Sequence, residues 1–511
     1  MVTFLLAILP IIFLVIALSG LKMTGYKACV IAMVITIVEA LIVWKQSFMD
    51  VATGALEGFV MAIWPICLVI IAAVFTYNLV VHTKNMEVIK KMLASVSTDK
   101  RILVLIIAWG FGGFMEAMAG FGTAVAIPAG ILVGLGFEPI FAAMVCLVAN
   151  TTPVAFGSIG IPTVTAAKVA GIANTQQLAS DIVTQQAIMI VLVPFLIVYM
   201  VGKHEGYKGL KMFNGVWIMT LIAGFGFLIP EYLVAEFMGA ELPAIIGSVV
   251  CMGLVMFATK IFKTDNKDFA LDIEQSDKID IHECIIAWSP FILVLIFLVF
   301  TSSIVPVIHD PLASIKSSIS IYTGEGSKPY TFVWIATPGV LIILAGIIGG
   351  LIQKCPFGEI ISVFVKTVVQ MMKTVITIMS VLAMAKVMGY SGMTQTIADF
   401  IVGVTGHFYP LVAPLIGSIG TFVTGSATSS SVLFAKLQSS TAEVLNMNPA
   451  WMVAANTAGS TAGKIVSPQS IAVATASAGI VGSESKILVG VVKYYVIFIV
   501  VFGLVTYFGV V

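Results

Sequence analysis

Arginine occurs once in this chain of 511 residues, at Arg101, and charged residues of all kinds make up only 10% of it. A water-soluble globule of this length needs far more polar surface than that. The formal net charge is +1, so charge singles out no partner, and nucleic acid is not expected as one. Histidine is nearly as scarce, with His82, His204, His282, His309 and His407 dispersed along the chain. The cysteines (Cys29, Cys67, Cys146, Cys251, Cys284 and Cys355) lie mostly inside apolar runs, with no Cys-x-x-Cys pair and no histidine at ligand spacing. They read as small packing residues. Neither a metal site nor a Cys–His nucleophile is supported, no cofactor is expected, and an intramembrane enzyme is disfavoured.

What the chain does have is hydrocarbon: 59% of its residues are hydrophobic and the mean hydropathy is +1.10. The apolar runs are continuous over roughly 18 to 25 residues, the length of membrane helices, whereas barrel strands would be short and alternating. Residues 1–20 lack a basic leader and a small-residue cleavage site, so they read as a retained first span. Further spans are expected near 27–44, 59–81 and 185–201, then near 284–305, 338–353, 360–388 and 487–511. Two connecting spans fall near 214–229 and 242–262. The expected fold is an all-α polytopic membrane protein of about 12 full spans plus two hairpins.

One motif occurs twice. Ala149-Asn150-Thr151-Thr152-Pro153-Val154-Ala155-Phe156-Gly157-Ser158-Ile159-Gly160-Ile161-Pro162 returns 306 residues later as Ala455-Asn456-Thr457-Ala458-Gly459-Ser460-Thr461-Ala462-Gly463-Lys464-Ile465-Val466-Ser467-Pro468. Upstream of each copy lies a second small-residue break, Gly120-Phe121-Gly122-Thr123 and Gly425-Ser426-Ala427-Thr428, offset by 305. Paired interruptions in corresponding halves of a membrane protein point to a transporter's binding site. Each alone would be weak, because small residues also serve helix packing.

Loop charges orient the halves. The loop 82–101 carries Lys84, Lys90, Lys91, Lys100 and Arg101, whereas its counterpart 389–406 has no lysine or arginine. By the positive-inside rule these equivalent loops face opposite sides. Lys203, Lys208 and Lys211 mark one cytoplasmic turn and Lys260, Lys263, Lys267 and Lys278 another, while 173–184 and 230–241 lack both residue types. Inverted repeats follow: 1–201 with a re-entrant hairpin at 101–137 and a broken helix at 139–172; connecting spans and a cytoplasmic loop over 202–283; and 284–511 with a hairpin at 407–438 and a broken helix at 449–478. Both termini are expected outside. Irregular backbone survives at membrane depth only against protein or a wet cavity, so hairpin tips and helix breaks should converge near the midplane. The external stretch 306–331 has no counterpart in the first half, and its role is open.

Broken helices aim free N–H groups at anions, and hydroxyls suit a small polar solute. The expected substrate-binding set is Gly122, Thr123, Asn150, Thr151, Gly157, Ser158, Gly425, Ser426, Thr428, Ser429, Ser430, Asn456, Thr457, Ser460, Thr461 and Lys464. With one arginine, at a cytoplasmic end, a carboxylate must be held by helix ends, hydroxyls or lysine. Lys464 is favoured over a mere structural ion pair. Glu116 sits among apolar residues with no charge nearby in sequence, which suits reversible protonation, and Lys168 and Lys436 join it as proton-coupling candidates. The competing expectation for Glu116 is that it caps a loop backbone or forms a fixed pair with a lysine. Lys366, Lys373 and Lys386 recur at roughly helical intervals along one long segment; a cavity-lining or connector face is one reading of them, and snorkelling near the ends is the one preferred.

The run Gly112 to Pro128, the block Asn150 to Gly157, the block Thr424 to Ser430 and Ala455-Asn456-Thr457 together resemble the bacterial L-lactate permease family over essentially the whole chain. The resemblance implies import of L-lactate, and often D-lactate and glycolate, with protons as the coupling ion, across the bacterial inner membrane. It also implies an elevator-like movement of a transport domain, as in better-known members of the ion transporter superfamily. A small-molecule substrate and the lipid bilayer are the expected partners, and homo-oligomerisation stays open. Sodium coupling is the alternative, since unwound carbonyls beside Asn150 or Asn456 suit that ion.

Overall fold

A computed structural model describes residues 2–17, 21, 23–120, 122–262, 267–271, 280–302, 304–325, 327, 329–480 and 482–510. Phe121 of the first tip, residues 18–20 of the first expected span, Lys263 and Lys278 of the cytoplasmic loop, and Gly326 lie outside the described residues.

The described chain is helical apart from one antiparallel strand pair, Lys316–Ile319 with Tyr330–Val333. Among the described residues, ten helices are long and apolar enough to cross a membrane, or eleven if Pro139–Ala149 and Thr152–Ala170, bent by 55°, form one broken span. That is fewer than the expected 12. Thr3–Leu14 and Pro338–Ile352 form apolar helices too short to qualify. The two connecting spans are present as Trp217–Met238 and Pro243–Ile261, packed on one another.

Around the first tip the chain runs through Lys100–Val104, a π-helical stretch Leu105–Phe111 and Gly112–Met118, turns, and returns as Thr123–Gly134, which packs back along its own approach. Tyr409–Thr424 and Ala427–Val444 form the second antiparallel pair, with Gly425 in left-handed backbone at the turn. The single arginine braces the first pair. Arg101 is wholly buried, its Nη2 donates to Asp99 Oδ2 at 2.6 Å, and its Nη1 donates to the carbonyls of Met212 at 3.0 Å and Asn214 at 2.9 Å. A guanidinium so engaged is withdrawn from any solute.

The two copies of the repeated motif fold differently. In the first, Pro139–Ala149 ends at Asn150, Thr152–Phe156 forms a short 3₁₀ turn, and Ser158, Ile159 and Gly160 all take positive φ (45°, 59° and 74°) before the helix resumes. In the second, Pro449–Val466 runs helical through Asn456, Thr457 and Lys464, and the break falls later, at extended Ser467 before Pro468–Ser477. The break thus falls within the expected 449–478, but the unwinding expected beside Asn456 is corrected. No proline follows Asn456 until Pro468, and a proline stops a helix at the residue before it.

The stretch 306–331 does have a place. Tyr322 stacks on Tyr390 with centroids 3.6 Å apart, the Thr53 and Thr323 hydroxyls share a 3.1 Å hydrogen bond, and the Trp64 indole donates to the Val333 carbonyl at 3.2 Å. The segment is thus strapped onto Phe48–Met61 and the long helix Phe357–Ser391.

Candidate functional site

Glu116 lies in the last turn of Gly112–Met118 and is 2% exposed. Lys464 Nζ donates to its Oε1 at 2.7 Å and Asn150 Nδ2 donates to its Oε2 at 3.0 Å. Three residues singled out from sequence, two of them 348 positions apart, thus form one buried network. Glu116 has no charge near it in sequence, but the fold supplies a counter-charge and an amide donor, the lysine pair weighed against a titrating role. A buried carboxylate and ammonium tolerate such surroundings only when paired and hydrogen-bonded. Gly157 leaves the room, since a Cβ there would stand 2.8 Å from Glu116 Oε1.

The helix break is fastened to the first tip. Ser158 Oγ donates to the Ala119 carbonyl at 2.9 Å, and Thr163 Oγ1 donates across the break to the Ala155 carbonyl at 2.8 Å. Gly160 has no substitute, because its φ is +74° and a Cβ would collide with the Ala240 carbonyl. At the second tip Ser426 caps its helix by accepting the Ser429 N–H at 3.2 Å.

These parts surround a cavity of about 390 Å³, within the usual range of small-molecule sites, roughly 300–1,000 Å³. Of the expected binding residues, Gly122, Gly157, Ser158, Gly425, Ser426, Thr428, Ser429 and Lys464 line it, as does Glu116. Others stand behind the lining. Thr123 Oγ1 donates to the Gly120 carbonyl at 2.7 Å, Thr151 Oγ1 to Val148 at 2.7 Å and Ser430 Oγ to Gly417 at 2.6 Å. Thr457 donates to Val453 at 3.2 Å, Ser460 to Thr457 at 2.7 Å and Thr461 to Ala458 at 2.7 Å, all inside the intact helix. Asn456 accepts from Gln438 Nε2 at 3.3 Å. Its helix is unbroken, so no freed carbonyls stand beside it for a sodium ion. Lys168 is exposed near the end of Gly157–Ala170, and Lys436 is half-buried on Ala427–Val444; neither lines the cavity or has a carboxylate within ion-pair distance among the described residues.

The opposite wall is formed by Thr24, Gly25 and Tyr26 with Lys373, Thr374, Thr377 and Ile378 of the long helix; of these, sequence reasoning names only Lys373, with cavity lining as the less favoured reading. The snorkelling preference is corrected at two of the three lysines: Lys373 lines the cavity, and Lys386 Nζ donates to Glu57 Oε1 at 2.7 Å while the Tyr390 hydroxyl donates to Glu57 Oε2 at 2.9 Å. The seven-residue spacing of 366 and 373 could have signalled one face, but not what it meets, and Lys386, thirteen residues beyond Lys373, falls on the other side of the helix. His82, Cys355 and Glu359 also converge, with ligand atoms within 4.8 Å of one another; His82 Nε2 and Glu359 Oε2 satisfy each other at 2.9 Å.

The charged groups lining the cavity are two lysines and one glutamate, leaving a formal +1. The arrangement can neutralise one small monoanion and surround it with hydroxyls.

Residues 3–511 match the family model described as L-lactate permease. The chain is 48% identical over 449 residues to the L-lactate permease of Streptococcus iniae, covering 88% of this chain and 93% of that one. It is 34% identical over 538 aligned positions to the glycolate permease GlcA of Escherichia coli K12, covering 98% and 94%. Its fold resembles that of Neisseria gonorrhoeae MtrF, described among antimetabolite efflux pumps, with a TM-score of 0.52 at 16% identity over 94% of this chain and 95% of the other.

Proposed function

The chain belongs to the L-lactate permease family, a family of multi-pass inner-membrane transporters, and from that premise we propose that it imports L-lactate and related 2-hydroxymonocarboxylates, D-lactate and glycolate among them, by proton symport. The names of its relatives support lactate and glycolate as substrates. The observation that carries the coupling is the Glu116–Lys464 pair at the wall of a cavity lined by hydroxyls and two lysines.

The ammonium of Lys464 serves two anions in turn. While Glu116 is ionised, its carboxylate occupies Lys464. A proton arriving from the cavity at the Glu116 carboxyl releases that lysine, and the substrate carboxylate takes the vacated place. Asn150 continues to hold the neutral acid. In this reading the cavity-lining hydroxyls of Ser158, Thr428 and Ser429 meet the 2-hydroxyl. Substrate and proton together add no charge, so the loaded and empty sites carry the same +1. That matters because moving one uncompensated anion against 100 mV costs about 2.3 kcal/mol.

Alternating access is assigned to an elevator-like movement of inverted repeats. Both tips, the break and Lys464 belong to one group of helices, in which Tyr409–Thr424 packs on Pro449–Val466 and Glu484–Phe508. The opposite wall belongs to a second group, in which the long helix packs on Gly25–Ile42, Phe48–Met61 and Leu68–His82. A cavity at the seam between two such bodies suits sliding of one past the other.

Uptake of labelled L-lactate into liposomes carrying the purified protein, with pH and sodium gradients imposed separately, tests this reading. An inward proton gradient should drive accumulation and a sodium gradient should not; the reverse pattern overturns proton coupling. Glu116→Gln should keep lactate exchange while losing proton-driven accumulation.

A further inference from the structure

Resting on the transport reading above, we propose that Lys373 is a substrate-binding residue of the long helix: its ammonium captures the carboxylate of the entering monoanion while Glu116 still occupies Lys464.

Three observations converge on this lysine. Both oxygens of Glu116 are spoken for, by Lys464 at 2.7 Å and Asn150 at 3.0 Å, so the cavity's single carboxylate does not neutralise Lys373. Among the described residues no carboxylate stands within ion-pair distance of it. The unbalanced +1 of the cavity is therefore Lys373.

Its depth is the second. Lys373 lies midway along the 35-residue helix Phe357–Ser391, about 24 Å from its start at a rise of about 1.5 Å per residue. A lysine at such depth is costly beside lipid and marks a wet pathway or a partner. Lys386, on the same helix, is paired with Glu57. Lys373 instead opens on the cavity, with Thr374 and Thr377 beside it.

The third is the wall on which it stands. Lys373 lines the same cavity as residues of the two tips but belongs to the other group of helices, so a carboxylate held there sits at the seam between them. An anion attracted to Lys373 is already in the cavity when Glu116 takes its proton and Lys464 becomes free. The charge count also bears on selectivity at capture: before Glu116 takes its proton, a monoanion cancels the +1, whereas a dianion leaves an uncompensated negative charge.

Concentration dependence of lactate uptake in proteoliposomes, together with lactate binding to the detergent-purified protein, decides the matter. Lys373→Met is expected to raise the half-saturating lactate concentration on the order of tenfold, the loss of one charge-assisted hydrogen bond, while the maximal rate stays within about twofold. Lys373→Arg should recover most of the affinity. An unchanged half-saturation, or a fall in maximal rate alone, removes Lys373 from the site. If Lys373→Met does not assemble, Lys373→Gln carries the same comparison. Wild-type protein that binds lactate but takes none up under any gradient refutes the transport reading and leaves the Lys373 binding comparison intact; wild-type uptake with unaltered binding by Lys373→Met refutes this inference alone.

Discussion

The two copies of the Asn-Thr motif carry matching residues at matching spacing and adopt opposite conformations. The first copy bends by 55° and places three consecutive residues in left-handed backbone; the second is straight helix to Val466. Their mismatched positions explain it. Where the first has Pro153, Ser158 and Gly160, the second has Gly459, Lys464 and Val466. Gly160 takes positive φ without the strain a valine would carry there, and the first copy already holds one β-branched residue, Ile159, in that region. In the second copy the glycines serve close packing: a Cβ at Gly459 or Gly463 would collide with the carbonyls of Pro414 or Ser418 on the neighbouring helix, the small-residue contact typical of membrane helices. A repeated motif can thus mark one site from two sides without repeating its shape. One side supplies a bend, the other a straight rod ending in a cation.

Making the second copy resemble the first breaks the comparison most severely. Lys464→Ser, the residue found at position 158, leaves the Glu116 carboxylate buried with Asn150 as its remaining hydrogen-bond partner. Removing one member of a buried ion pair costs about 3–5 kcal/mol, and the expected readout is a large drop in the thermal unfolding midpoint in detergent. Glu116→Gln added to the same chain should restore most of it, because the orphaned charge is gone. If the double variant is as unstable as the single, Lys464 acts through packing and not through the pair.

The Lys464–Glu116 contact also measures what the sequence could reveal. Each residue drew notice by itself, as a charge inside an apolar run, because that signal is local. Their pairing was weighed only in general terms, since nothing local relates positions 348 apart. The tips at Gly122 and Gly425 were legible because helix-breaking residues act where they stand. Lys373 was not, since a lysine inside a long apolar helix looks the same whether it snorkels or meets a cavity; the helices packed around it decide. Thr457, Ser460 and Thr461 misled for the converse reason. A hydroxyl in a membrane helix reads as polar lining, yet each here donates to its own helix's carbonyls, the default for Ser and Thr in such surroundings.

A change in the other direction is expected to matter less. Gly160→Ala takes the first copy one step toward Val466, forcing a Cβ into left-handed backbone and against the Ala240 carbonyl. Strain and overpacking of this kind cost about 1–3 kcal/mol. Thermal unfolding should register it, and lactate uptake should fall because Ser158 and Gly157 shift with the turn. Normal stability and uptake would mean that the turn does not need glycine.

Pro153→Gly, which copies Gly459, is the mildest test and the most informative about what makes the bend. Proline removes an N–H and clashes with the preceding turn, so it is an obvious cause. Yet the bend has other anchors: left-handed backbone from Ser158 to Gly160, the Ser158–Ala119 hydrogen bond at 2.9 Å and the Thr163–Ala155 hydrogen bond at 2.8 Å. With these in place the substitution mainly loosens the unfolded chain, at a cost of about 1 kcal/mol or less. Lactate uptake should stay near wild type with a small fall in unfolding midpoint. Loss of uptake at unchanged stability would show instead that Pro153 creates the break, and that Gly160 and its neighbours merely accommodate it.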